Sequence, residues 1–395
     1  MPALPETDLP DADSADLVLS HPTVEECNTI CNNTASSWAD SLPLPVYMEE
    51  SLFLTTVPLA RDGGVTPWIL VHKDELPNQR HILCSCESYI KRTLTSDSKG
   101  TISDNIIIVP LESSELEAID NIVHGIASVF CAPPYRGRRY APRMMREVAT
   151  KLRTWQTNKL PCVGTTLYSD IGKEYYAKLG WRVAATNSHV ELQPAAIAWP
   201  AGVHPIAEHD IEDLCQRDEA RIRAHMAVPA AGPKTRFTIL PDSKHMGWHL
   251  GKETFTTKHL FGKVPTAKGA IIGAPGTQIC VFNNVLYILR LVIERDQTAT
   301  RLPSDAAKRP SEDVCEQQTA YLKAVLQAAQ AEASEWRLDS IQMWDPTPLA
   351  VDLLGKTGVE YRLVQRETTS IASLMWYADG GDMPLWLNNE HYAWQ

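Results

Sequence analysis

The sequence has no apolar run near the roughly 20 residues that a membrane-spanning helix requires, so no membrane partner is expected. Nor does it carry a surplus of positive charge. Its 37 Lys and Arg stand against 48 Asp and Glu, a net charge of -11. Neutralising phosphates takes a basic surface, so nucleic acid and acidic membrane surfaces are excluded as partners. The opening residues, MPALPETDLPDADSAD, lack the basic start and apolar stretch of a secretory signal, and their acidity disfavours a mitochondrial transit peptide. Without a secretory signal, the sequon Asn32-Asn33-Thr34 is not read as glycosylated.

The nine cysteines are an odd number spread over the chain, which reads as free thiols in a reducing compartment. A cytoplasmic location is expected on these grounds. Cys27/Cys31 and Cys84/Cys86 are closely spaced pairs, but no matching pair completes a ligand set, so no metal is expected.

What is present is the balance of a globular protein, with 44% apolar and 22% charged residues over 395 positions, enough for two domains. Residues 1–15 are expected to be disordered. The pattern then predicts a strand at 16–20, a helix at 24–38, and strands at 66–72, 80–89, 106–110 and 124–131, with a turn at 95–103. A helix follows over 140–156, where Met144, Val148, Leu152 and Trp155 form one apolar face and Pro142 sits in the first turn. A strand at 161–167 and a helix at 170–179 come next, with Asp170 as N-cap and Gly180 as the left-handed stop. Pro and Gly interrupt the pattern near 198–205. Beyond it lie a helix at 211–225, strands at 278–283 and 287–294, a polar loop at 296–313, a helix at 314–336, and strands at 340–344 and 370–377. The fold class is α/β (α+β), with domains at 16–198 and 205–395, the second being a candidate degenerate copy of the first.

The run SVFCAPPYRGRRYAPR (128–143) carries the chemistry. An apolar strand ends at prolines, a glycine-bearing basic loop follows, and a helix begins at once. Loop N–H groups and the helix N-terminus converge there on one point, which makes an anion cradle. Seven basic residues gather in this region: Arg136, Arg138, Arg139, Arg143, Arg146, Lys151 and Arg153. In a chain of net negative charge, this concentration suggests a polyphosphate ligand. Arg143, Arg146 and Arg153 read equally as a solvated helix face.

Here a resemblance enters. Arg136-Gly137-Arg138-Arg139-Tyr140-Ala141, with Pro133 just ahead, resembles the pyrophosphate signature of the GNAT acetyltransferases, Arg/Gln-x-x-Gly-x-Gly/Ala. Tyr176-Ala177-Lys178-Leu179-Gly180-Trp181 resembles their second signature, Tyr-x-Lys-x-Gly-Phe/Trp. The chain looks most like the fungal lysine N6-acetyltransferase family, through GIASVF, YRGRRYA, LRTWQ, LYSDIGKEYYAKLGW and the ending WLNNEHYAWQ. The resemblance implies a mixed GNAT sheet flanked by helices, with acetyl-CoA as co-substrate and no metal. By the same resemblance, backbone groups of Val129, Phe130 and Cys131 pair with the pantetheine arm, and N–H groups of Arg136, Gly137, Arg138, Arg139, Tyr140 and Ala141 hold the pyrophosphate. Tyr176 would protonate the leaving thiolate. One position departs from the pattern, because Arg139 stands where the signature has glycine, a residue that tolerates positive φ.

The implied reaction is direct attack of a small amine, with the N6 amine of free L-lysine as the expected acceptor. Another small or secondary-metabolite amine is the alternative, as is an idle acyl-CoA-binding protein. Protein acetylation has no recognisable chromatin-reading module to support it. Candidate bases are His124 and Glu87, with Glu191 as a third. Trp386, Asn388, Asn389, Glu390 and Tyr392 form a polar and aromatic set that either lines the acceptor site or docks the last segment onto the core.

Overall fold

A computed structural model describes residues 9–97, 121–228, 235–273, 276–282, 284–293, 312–377 and 382–395. The expected strand at 106–110 and most of the expected loop at 296–313 lie outside these residues. In chain order the first half holds β1 (Leu17–Ser20), α1 (Val24–Trp38), α2 (Leu44–Leu54), β2 (Val65–His72), β3 (Cys84–Asp97), β4 (Asn121–Cys131), α3 (Tyr140–Leu152), β5 (Cys162–Ser169), α4 (Glu174–Ala177), β6 (Arg182–Val183) and β7 (Ser188–Leu192). The second half holds β8 (His204–Pro205), α5 (Ile211–Met226), β9 (Thr235–Ile239), α6 (Ser243–Phe261), β10 (Gly269–Ile271), β11 (Gly276–Phe282), β12 (Val285–Leu291), α7 (Glu312–Glu335), β13 (Ser340–Trp344), α8 (Pro348–Thr357), β14 (Arg362–Gln365), β15 (Ile371–Trp376) and β16 (Leu385–Trp386).

Local chemistry accounts for several boundaries. Thr23 and Glu26 form a capping box at the start of α1. Asp242 caps α6, which stops at Gly262 with φ 67°. The expected helix at 170–179 shrinks to the four residues of α4. Gly172 takes φ 78° and breaks its first turn. Asp170 caps nothing there, since its Oδ1 instead accepts from the Ser370 N–H at 2.8 Å.

The first sheet runs β1-β2-β3-β4-β5-β15-β6, with β9 paired to the far end of β3 and β16 paired to β9. Among the described residues, only β4/β5 and β9/β16 are parallel pairs in it. One face packs α3 and α4 through Trp68, Cys86, Ile126, Met144, Leu167 and Trp181. The other face buries Val123, Phe237, Met246, Leu374 and Tyr392. The second sheet runs β14-β7-β13-β12-β11-β10-β8, with α7 joining β12 to its parallel neighbour β13. Leu286, Ile288, Leu326, Ile341 and Leu353 fill the core between that sheet and α7 and α8.

The sheets exchange strands across residues 198–205. β7 lies before that point yet sits in the second sheet, while β9, β15 and β16 come after it and complete the first. Residues 9–15, expected to be disordered, are instead packed. Leu9 and Ala12 are buried in the core beneath α3, and the Pro10 carbonyl accepts from the Tyr140 hydroxyl at 2.5 Å. Two apolar residues in a polar run are enough to dock this short segment.

Candidate active site

β4 and β5 pair only from Ile122↔Cys162 to Ile126↔Leu167, although β4 continues to Cys131. Beyond Ile126 the two strands part, and β5 keeps pairing with β15 on its far side. A bulge marks the same place. Ser85 faces Phe130 and Glu87 faces Ala127, so Ser128 and Val129 stand opposite Cys86 alone. Ser128 takes φ 54° at that bulge. The backbone of 127–131 therefore presents amide groups to an opening instead of to β5, as an extended ligand arm that pairs with a strand edge requires.

The opening leads to the loop expected to hold anions. Arg136 folds back, its Nε donating to the Cys131 carbonyl at 2.9 Å. Gly137 takes φ 81°, and a Cβ there would meet nothing within 4 Å, so the left-handed backbone and not crowding calls for glycine. Arg139 sits at the N-cap of α3 with φ 64° and ψ 21°, a left-handed non-glycine residue where the signature has glycine. Its exposed guanidinium lies 3.7 Å from Asp13. The N–H groups of Tyr140 and Ala141 open α3 and have no intrahelical acceptor. These features fit an anion held largely by backbone. Three basic side chains further along are engaged elsewhere. Arg143 binds Glu147 and the Ala12 carbonyl, Lys151 lies over Trp155, and Arg153 lies 4.4 Å from the Tyr377 ring.

Tyr176 lies on α4, 8% exposed and edge-on to Trp181 at 6.3 Å. Burial pushes its phenol up from the ordinary value, so it is protonated at neutral pH. Glu87 lies on β3 opposite Ala127, and its Oε2 accepts from the Ser128 hydroxyl at 3.1 Å and from the Tyr89 hydroxyl at 3.3 Å. Burial raises its carboxyl above the ordinary range, against the two hydrogen bonds. Glu87 thus borders the opening.

The other two base candidates do not. His124 is 0% exposed in the paired part of β4, with Gln156 Oε1 at 3.3 Å and Cys162 Sγ at 3.5 Å. Burial pushes it down to about 4. Glu191 is in the second sheet, bound by Arg362 at 2.9 Å. Tyr392 and Glu390 anchor the last segment. The Tyr392 hydroxyl donates to the Ile239 carbonyl at 2.6 Å, and Glu390 takes Arg290 and the Leu291 N–H.

One buried cation on β3, Lys91, had no place among the sequence candidates. It continues the alternation of Glu87 and Tyr89 along β3, is 2% exposed, and donates to the Ala393 carbonyl at 2.6 Å. Burial pushes it down to about 7. The period-two spacing was its only sequence signal. Among the described residues no cluster of metal-ligating side chains forms, and no helix is long and apolar enough to cross a membrane.

The family model described as the LYC1 GNAT-like C-terminal domain matches residues 189–395. A GCN5-related N-acetyltransferase from Kribbella flavida is similar at 16% identity over 91% of this chain and 71% of its own, with a TM-score of 0.49. Saccharomyces cerevisiae N-myristoyltransferase with bound myristoyl-CoA is similar at 10% identity over 97% and 84%, with a TM-score of 0.48. Arabidopsis thaliana NAA60 in complex with acetyl-CoA is similar at 11% identity over 47% and 92%, with a TM-score of 0.26. No curated protein matches the chain.

Proposed function

The chain belongs to the LYC1-like family of GNAT acetyltransferases, and from that premise we propose that it acetylates a small amine from acetyl-CoA, the acceptor being the N6 amine of free L-lysine. The parting of β4 from β5 beyond Ile126 carries this reading, because it leaves strand backbone unpaired just ahead of the loop expected to hold anions. Val129, Phe130 and Cys131 hold the pantetheine arm in that opening, and the 136–141 loop holds the pyrophosphate.

Acetyl-CoA supplies an activated thioester when bound. Glu87 accepts a proton from the acceptor amine, and its raised affinity for protons suits a base working near neutral pH. Backbone N–H groups of the bulged strand polarise the acyl oxygen. The C–N bond forms as the C–S bond breaks, and Tyr176 gives its phenolic proton to the departing thiolate. His124 is given no role, since its buried ring is held between Gln156 and Cys162 in the paired part of β4.

The test is release of the CoA thiol across a panel of free amines, with L-lysine first and products read by mass spectrometry. Wild type should form N6-acetyl-lysine. Tyr176→Phe should lower kcat on the order of tenfold or more with acetyl-CoA affinity unchanged, as loss of a general acid implies. Binding of acetyl-CoA without transfer to any amine would mark an idle binder instead.

A further inference from the structure

Two charged side chains of opposite sign stand side by side without forming an ion pair. Asp345 follows β13 and Arg366 follows β14. Both lean on one carbonyl: the Asp345 N–H donates to Ser188 O at 3.0 Å, and Arg366 Nη1 donates to the same atom at 2.9 Å. Thr186 Oγ1 donates to Asp345 Oδ2 at 2.8 Å, and Arg366 Nη2 reaches Asn187 Oδ1 at 3.5 Å. Arg366 is only 6% exposed, yet its buried Nε has no partner. Asp345 is held at φ 46°, a left-handed conformation that costs a non-glycine residue about 1 kcal/mol or more.

Rings surround this pair. The guanidinium lies 3.9 Å over Trp344, Trp344 meets His391 edge-on at 4.5 Å, and His391 stacks on Tyr287 at 3.9 Å. Tyr168 lies 5.9 Å from Trp344. Trp344 Nε1 and His391 Nδ1 are likewise buried without partners. A buried polar atom left unpaired costs about 1–3 kcal/mol, and an unpaired buried charge costs more. Several in one place mark positions that a ligand completes.

The cluster also adjoins the opening. Tyr168 follows Leu167, the last β5 residue paired with β4. On the other side His391 stacks with Trp394, which packs with Tyr89 and Ala127 beside Glu87.

We propose that Arg366 and Asp345 clamp the α-carboxylate and α-ammonium of a free amino-acid acceptor, while the rings of Tyr168, Tyr287, Trp344 and His391 line its aliphatic chain. The clamp rests on the reading of the chain as an amine acetyltransferase, and it restricts the acceptor class. A lysine inside a peptide has neither free charge and is refused.

The experiment compares L-lysine with 1,5-diaminopentane, which lacks the carboxylate, and 6-aminohexanoate, which lacks the α-amine. Arg366→Gln should raise KM for L-lysine on the order of 20-fold, the loss of one charge-assisted hydrogen bond. The loss on 1,5-diaminopentane should be much smaller than that on L-lysine, and Arg366→Lys should recover part of the L-lysine loss. Asp345→Asn should weaken L-lysine and spare 6-aminohexanoate. Equal loss with all three acceptors would reduce the pair to a structural role and overturn the clamp, as would wild type accepting a lysyl peptide as readily as L-lysine. Calorimetric titration of L-lysine keeps the two readings apart. If wild type transfers to no amine, the acetyltransferase reading fails, whereas L-lysine binding weakened on the order of 20-fold in Arg366→Gln still supports the clamp and an absence of L-lysine binding overturns it.

Discussion

At the scale of single residues, Arg139 shows how a signature can bend without losing its geometry. The backbone keeps the left-handed turn that glycine would take freely, at a cost of about 1 kcal/mol. The Arg139 side chain reaches out to Asp13 and is mostly exposed, so the ion pair returns little. Arg139→Gly should therefore bind acetyl-CoA equally or more tightly by calorimetry, and a clear loss of affinity would assign the guanidinium a phosphate contact. In the proposed reaction Glu87 carries the pH dependence. A base must be deprotonated, and burial raises this carboxyl, so kcat/KM should rise with pH through an acid limb above the ordinary carboxylate range. Glu87→Gln should flatten that limb and slow turnover, and a pH profile unchanged by the substitution would remove Glu87 from the reaction.

Among the elements, β4 does most to shape the site. Its first half is locked between β3 and β5, and its second half is bulged at Ser128 and free on the β5 side. Gly125 lies at the end of the locked half. A Cβ there would come within 2.5 Å of Lys91 Nζ, which is itself buried and tied to the Ala393 carbonyl. Gly125→Ala should cost on the order of 1–3 kcal/mol in denaturant unfolding, the usual effect of overpacking. Shortening the neighbour in Gly125→Ala/Lys91→Ala should recover part of that loss, and no recovery would mean that the strain lies in the strand backbone. The sequence foretold β4 and α3 well because both carry strong periodicity and sharp stops. It overextended α4, where Gly172 and the Asp170 contact with Ser370 prevail over helix propensity.

For the whole molecule, the second half does more than follow the first. β15 flanks β5 on the side away from β4, β9 extends β3, and residues 385–395 lie across the face that carries Glu87. Arg290 pins this arrangement by joining Asp218 on α5 at 2.7 Å to Glu390 in the last segment. All three are nearly fully buried, so removing the cation leaves Glu390 with only the Leu291 N–H and Asp218 with Arg221. Arg290→Met should destabilise by about 3–5 kcal/mol in denaturant unfolding. Adding Glu390→Gln should restore part of it, and a loss below 1 kcal/mol would show that the cluster relaxes or is hydrated.

The sequence by itself determined the glycine-bearing loop ahead of α3, the tyrosine of α4 and the apolar face of α3. Each is written within a few consecutive residues, where spacing and backbone preference act without help. It also named Glu87, but could not rank it above His124, because the two differ only in what surrounds them. Tertiary structure separates those surroundings, burying His124 against Gln156 and Cys162 and leaving Glu87 beside Ser128. It alone brought Asp345, Arg366, Tyr168 and His391 together from separate strands and from the last segment. Contacts between residues far apart in the chain depend on which strands become neighbours, and local pattern does not record that order.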